Sequence, residues 1–141
     1  QMTPMKKTFL LLFFLPAFSH AQISPDSAKY YFDKQTEVEV CGKVIDVGMV
    51  AGVRDGKQFT GATLKFGNRQ GTKKNIVFTA TIPANEPFSS IAEHDKYWAD
   101  LKKKYIDSTI CVRGKIIAEY LDGYGKTPSI KVDSMANVRY K

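Results

Sequence analysis

The sequence has few of the residues that build catalytic or metal centres. It contains two cysteines and two histidines, and one histidine, His20, lies in the apolar N-terminal segment, which leaves His94 alone in the rest. Neither a Cys-rich nor a His-cluster metal site is compatible with these numbers. The acidic residues are scattered along the chain without a paired cluster. We therefore predict that the protein is not an enzyme and has no catalytic residue, no metal and no cofactor.

The chain also lacks an apolar run long enough to cross a bilayer. Its most apolar stretch, Phe9–Phe18, has about 10 residues, whereas a spanning helix needs about 20. Two lysines precede this stretch, and Ser19 and Ala21 follow it as the small residues that a signal peptidase recognises. This order predicts a secretory signal peptide, residues 1–21, that is removed so that Gln22 begins the mature chain. The alternative is an uncleaved membrane anchor.

The remaining residues, 22–141, are enough for a single domain with one core. They carry 19 basic against 14 acidic residues, a net charge of +5. This charge permits a polyanion partner such as nucleic acid, lipopolysaccharide or an acidic glycan, although solubility alone also favours it. We expect a periplasmic or secreted protein without a membrane span after cleavage.

Alternation of apolar and polar residues predicts five strands, at 36–47, 59–66, 75–82, 108–120 and 128–138. The glycine-rich segment at 48–58 is expected to form a flexible loop or the end of a hairpin between the first two. Large apolar residues at helical spacing predict a helix that packs on the core, with Phe88 leading into Ile91, Trp98, Leu101 and Tyr105. With a short N-terminal helix at 23–34, this order is that of the OB-fold, a five-stranded Greek-key barrel with one capping helix between strands 3 and 4. An α+β sandwich has the same element order and is the alternative.

Cys41 and Cys111 occupy equivalent places in two similar segments. In each segment, an aromatic residue precedes a strand, and the strand contains a cysteine that is followed shortly by a glycine. An oxidising compartment favours pairing of two thiols, and the inward alternation of Val40 and Val112 places both sulfurs on one side of adjacent antiparallel strands. We predict a Cys41–Cys111 disulfide between the first and fourth strands. Two separately buried thiols are the alternative.

These segments resemble a known family. The resemblance is carried by SPDSAKYY at 24–31, VEVCGKV at 38–44, LKFG at 64–67, VFTATI at 77–82, ICVRGKI at 110–116 and SIKV at 129–132. They are similar to small bacterial OB-fold domains of the tRNA-anticodon-binding-like group, and the similarity covers most of the mature chain. It implies a nucleic-acid-binding barrel. It does not extend to the active site of secreted thermonucleases, because Asp46 at the first strand's end has no second Asp beside it.

An OB-fold binds its ligand across strands 2 and 3 and through the loops between strands 1 and 2 and strands 4 and 5. The basic and aromatic residues that fall near this surface are Arg54, Lys57, Lys65, Arg69, Lys73, Lys74, Tyr120, Tyr124 and Lys126. We predict that they bind a polyanion, first of all single-stranded nucleic acid, with Tyr124 stacking on a base. Two alternatives remain: a solvated basic surface, and an envelope protein-interaction or stress module that uses the barrel as a scaffold.

Overall fold

The structure is a computed structural model that describes residues 21–32, 34–84 and 90–141. Most of the segments with alternating apolar and polar residues form strands that are longer than predicted. Within the described residues, one α-helix, α1 (Ile91–Tyr105), and two 3-10 helices, Pro25–Tyr31 and Met135–Asn137, accompany them. The strands are β1 (Ala21–Ile23), β2 (Glu37–Arg54), β3 (Lys57–Gln70), β4 (Lys73–Pro83), β5 (Thr109–Lys115), β6 (Ile117–Leu121), β7 (Gly125–Lys131) and β8 (Val138–Tyr140).

The strands form one mixed sheet in the order β6-β7-β4-β3-β2-β5-β8, with β1 parallel to β2. The prediction of a five-stranded OB barrel is wrong, because the eight strands make an open sheet with β6 and β8 as its end strands. The predicted fourth strand is interrupted at Ile116, and its two halves, β5 and β6, pair with β2 and β7 respectively. The chain therefore crosses between two parts of the sheet at a single residue, which periodicity alone does not reveal.

Of the two alternatives for residues 48–58, the structure shows the hairpin, since β2 and β3 continue through this segment as an antiparallel pair. The hairpin turns at Asp55 and Gly56, whose φ angles are +53° and +76°. Two consecutive positive φ angles are what a tight two-residue hairpin turn requires, and Asp-Gly is a preferred pair for it. The glycines at 48 and 52 thus lie within a strand rather than in a loop.

The core lies against one face of the sheet. Its largest fully buried side chains include Leu64, Phe66 and Phe78, and α1 adds Trp98 and Tyr105. Ser90 caps the helix by accepting a hydrogen bond from the Glu93 N–H at 3.2 Å, so α1 begins after residue 90 rather than at 88. Phe88 lies outside the described residues. Ile91, predicted to pack on the core, is 79% exposed.

The predicted disulfide is confirmed. Cys41 and Cys111 are bonded across a sequence separation of 70 residues. They face each other directly in the antiparallel ladder of β2 and β5, so the repeated segments do lie side by side as their similarity indicated.

The predicted signal peptide lies outside the described residues except for Ala21, because the description begins at residue 21. Its cleavage stays a prediction. From residue 21 onward, the described helices are too short or too polar to cross a bilayer. Gln22 lies in β1, opposite Glu39 of β2.

Candidate functional site

Strand pairing brings a row of polar side chains together on the face opposite the core, which we call the outer face. Asp46 of β2 is opposite Lys65 of β3, and Lys65 is opposite Thr79 of β4. Thr79 is in turn opposite Ser129 of β7. The next row contains Thr63, Thr81 and Lys131. The outer face therefore carries hydroxyl and charged groups across four strands.

The hydroxyl groups on this face form a buried floor. Within the described part of the chain, the buried polar residues are Thr63, Thr79, Thr81, Thr127 and Ser129, and the strand alternation places all five on the outer face. Thr79 Oγ1 donates a hydrogen bond to Ser129 Oγ at 2.9 Å. No buried side-chain polar atom in the described residues lacks a partner. The buried polar groups of the floor thus have hydrogen-bond partners within the protein, and the exposed groups around the floor are those that contact solvent.

Three cations converge on β2 at one end of this floor. Lys74 Nζ is 2.9 Å from Asp46 Oδ2, and Lys65 Nζ is 4.0 Å from the same oxygen. The Arg69 guanidinium donates a hydrogen bond to the carbonyl oxygen of Ile45, the residue before Asp46. We call Lys65, Arg69 and Lys74, together with Asp46, the basic cluster.

Two bulges shape the strands at this point. The β2–β3 register shifts between Val44 and Asp46, and the β3–β4 register shifts between Phe66 and Gly67. Bulges bend a strand and increase its twist. Gly67 is required there, because a Cβ would collide with the backbone carbonyl oxygen of Asn75. The bent end of the β3–β4 hairpin is what carries Arg69 to the backbone of β2.

The electrostatics of the basic cluster leave positive charge in excess. Burial of Asp46 acts to raise its pKa, but the Lys74 hydrogen bond, the Val47 N–H and the charges of Lys74 and Lys65 outweigh it, so the pKa lies below its usual range. Asp46 is therefore ionised at neutral pH. One negative charge against three positive charges leaves two unbalanced.

One predicted aromatic residue joins the basic cluster. The Tyr124 hydroxyl donates to the carbonyl oxygen of Lys74 at 3.0 Å, and the side chain remains 42% exposed. Lys73 is the neighbour of Lys74 at the β3–β4 turn and is exposed. The structure therefore brings together four of the nine predicted residues, namely Lys65, Arg69, Lys74 and Tyr124, and Lys73 adjoins Lys74 in the chain but lies on the opposite face of the strand by alternation.

The other four predicted residues lie elsewhere. Tyr120 and Lys126 are opposite each other in the β6–β7 ladder, on the face turned away from Thr127. Lys126 Nζ lies 5.1 Å from the centre of the Phe32 ring. Arg54 and Lys57 flank the β2–β3 turn, and Lys57 is about 26 Å from Lys65 along β3 at the usual rise of a strand.

The sequence reasoning missed two features of the outer face. From the sequence, Asp46 was considered only as one member of the pair of carboxylates that a nuclease needs. A single carboxylate beside an apolar strand end is nevertheless a signal for a cation partner. Phe59 was not considered as a surface aromatic. Its ring lies over Gly52, and it lines a pocket of about 120 Å³ together with Thr81 and Lys131.

The described residues contain one group of potential metal ligands, Glu39, Cys41 and Cys111. The two sulfurs are bonded to each other, and Glu39 accepts two hydrogen bonds from Arg139, each at 2.9 Å. Since thiolates rather than disulfide sulfurs bind metals, this group is not a metal site in the oxidised protein.

No protein-family model matches this chain, and no curated protein matches it either. The geometry and charge of the outer face are therefore the basis for assigning a function, and the comparisons place the chain in no family.

Proposed function

We propose that the protein binds a polyanion without catalysis, and that the ligand is single-stranded nucleic acid. The observation that carries the proposal is the concentration of Lys65, Arg69 and Lys74 around residues 45 and 46 of β2, where the two lysines pair with the Asp46 carboxylate and Arg69 binds the Ile45 carbonyl oxygen. Three cations that share one partly exposed carboxylate have unused capacity for a further anion. Phosphate groups of a nucleic acid backbone provide such anions at regular spacing.

The accessibility of the cluster supports the proposal. The Lys74 side chain is 40% exposed, whereas that of Asp46 is 22% exposed. A ligand phosphate therefore meets the ammonium group before it meets the carboxylate. Contacts of this kind bind the backbone rather than the bases, so the expected binding depends weakly on sequence and strongly on salt.

Tyr124 supports nucleic acid over other polyanions. Its exposed ring is held beside Lys74 by the hydrogen bond from its hydroxyl. Stacking of a base on an aromatic side chain contributes about 1–3 kcal/mol in proteins that bind single strands. A phosphate group by itself has no planar ring to stack on this side chain.

The proposal places the protein outside the cytoplasm. The support is the Cys41–Cys111 disulfide, because structural disulfides persist in oxidising compartments, together with the N-terminal pattern of charged, apolar and small residues. A periplasmic or secreted protein meets nucleic acid released from other cells.

The experiment compares two variants of equal net charge. The first replaces Arg69, Lys73 and Lys74 with Gln, which removes the cations without placing new carboxylates against Asp46. The matched control replaces Lys29, Lys34 and Lys115 with Gln. Binding of a fluorescent oligonucleotide of about 15 nucleotides, a length within the range that single domains occupy, is measured by anisotropy at several salt concentrations.

We expect the first variant to lose affinity, and its dependence of log K on log salt to become shallower by about 2, because each single-strand phosphate contact contributes about 0.7. The control is expected to retain most of the wild-type affinity and its slope. Equal losses in both variants would show that only net charge matters. Absence of binding by the wild-type protein would contradict the proposal itself.

A second candidate, a protein-interaction module, is supported by the β2–β3 hairpin. Met49 is 53% exposed and Val53 is 70% exposed, and their spacing places them on one face of β2. A partner bound there by apolar contacts would respond to Met49→Ser and Val53→Ser and hardly to salt. The two candidates are thus distinguished by salt dependence.

A further inference from the structure

The segment that follows α1 is attached to β2 next to the basic cluster. The Asp107 N–H donates to the Val44 carbonyl oxygen at 2.8 Å, and the Val44 N–H donates to the Ser108 carbonyl oxygen at 3.0 Å. The carbonyl oxygen of the next residue, Ile45, accepts the hydrogen bond from Arg69. The segment after α1 is therefore hydrogen-bonded to Val44 of β2, and the basic cluster is hydrogen-bonded to Ile45, the next residue of the same strand.

This end of α1 carries a second concentration of positive charge. Lys102, Lys103 and Lys104 form its last turn, and Lys43 of β2 lies 3.8 Å from Asp107 Oδ1 in an exposed ion pair. Within the described part of the chain, Lys102 and Lys103 have no acidic partner, and Lys104 Nζ lies 5.2 Å from the centre of the Tyr105 ring. We call Lys43 and these three lysines the helix cluster.

The helix dipole does not account for the whole helix cluster. Cations are favourable at a helix C-terminus, which explains lysines in the last turn of α1. Lys43 is not on the helix, however, and it extends the same positive surface onto β2, two residues before Ile45. With Asp107 as its acidic neighbour, the helix cluster has three positive charges in excess, so that both sides of β2 at residues 43–46 are cationic.

We propose that the helix cluster is a second contact region for the same polyanion, so that the ligand is a polymer whose backbone passes over β2 from the basic cluster to the end of α1. This inference rests on the proposed function. The two regions are anchored to neighbouring residues of β2, Val44 and Ile45, so a flexible phosphate backbone of several nucleotides that contacts one region is expected to continue to the other. A ligand with one isolated anionic group contacts only one of them.

The test first measures which lysines a bound oligonucleotide protects. The full chain is treated with a reductive methylation reagent in the presence and absence of an oligonucleotide of about 15 nucleotides, and modified peptides are quantified by mass spectrometry. We expect protection of Lys102 and Lys103 as well as Lys73. Lys115 is the internal control, because it lies about 20 Å from Thr109 along β5 at the usual strand rise and should react equally in both samples.

A charge-neutral variant provides the second measurement. Lys102→Gln with Lys103→Gln is expected to reduce the salt slope by about 1.4, two contacts of about 0.7 each, whereas Lys34→Gln with Lys115→Gln leaves it unchanged. Thermal unfolding of both variants verifies that α1 is intact. If the wild-type protein binds but Lys102 and Lys103 are neither protected nor needed for the slope, the inference is overturned and the proposed function stands. If the wild-type protein does not bind, the proposed function fails first.

Discussion

Two carboxylates of β2, Asp46 and Glu39, hold cations that come from other parts of the chain. Asp46 receives Lys74 and Lys65 on the outer face, and Glu39 receives the Arg139 guanidinium near the C-terminus. Both have a pKa below the usual range. They differ in their surroundings, because Asp46 has several cations around it and Glu39 is paired mainly with one. This difference makes the two residues a matched pair for experiments.

Glu39 is expected to contribute stability that acid removes. The Arg139 hydrogen bond lowers the pKa of Glu39 most, burial opposes it, and the Gln22 amide and nearby arginine charges lower it further. A group whose folded-state pKa is depressed stabilises the fold above its unfolded pKa, about 4.3 for Glu, and this contribution disappears as pH falls through the folded-state value.

The measurement is the urea midpoint of wild type and Glu39→Gln at a series of pH values from about 6 down to about 2. We expect the wild type to be more stable than the variant at the highest pH and the difference to shrink as the pH falls. A difference that is equally large at all of these pH values would contradict this account of Glu39.

At the scale of single elements, the sequence predicts the central residues of α1, β5 and β7 better than the residues at which these elements begin and end. Helical spacing located α1 because Trp98 and Tyr105 are buried at that spacing. From the sequence, the glycines at 48–58 are compatible with a loop as well as with a hairpin, so the full length of β2 and β3 was not predicted. In the structure Gly52 is the position where the Phe59 ring lies against the strand, so the glycine serves a cross-strand contact that no local pattern encodes.

The disulfide links β2 and β5 at their direct pair, Cys41 and Cys111. Reduction releases a closed loop of 70 residues in the unfolded chain, for which chain entropy predicts a loss on the order of 4 kcal/mol in the free energy of unfolding. We expect chemical denaturation with and without a reductant to show a loss of this order. A change below about 1 kcal/mol would show that the bond adds little to the fold.

For the whole molecule, the sequence predicts mainly β structure, the helix position and the disulfide, but not the sheet. The number of strands depended on Ile116, where one alternating segment becomes two strands with different partners. The basic cluster was predicted only as part of a larger set. Lys65, Arg69 and Lys74 meet because two bulges bend β2 and β4, and Tyr120 and Lys126 are excluded because alternation puts them on the opposite face.

Processing of the chain is a prediction at the same scale. Cleavage after Ala21 leaves Gln22 and Ile23 of β1 to pair with β2. We expect the exported protein, analysed by intact mass, to begin at Gln22 and to retain its disulfide. A mature mass that includes the apolar stretch Phe9–Phe18 would contradict the signal-peptide prediction.

The most direct test of the account is the effect of Asp46→Asn on affinity for a single-stranded oligonucleotide, with Glu39→Gln as the control for an equal change in net charge. Asp46 competes with a ligand phosphate for Lys65 and Lys74, so its neutralisation is expected to tighten binding. Two unit charges about 4 Å apart in water interact by about 1 kcal/mol, which corresponds to about fivefold in the dissociation constant. The account predicts this gain for Asp46→Asn and no gain for Glu39→Gln, and unchanged or weaker binding by a folded Asp46→Asn variant would contradict it.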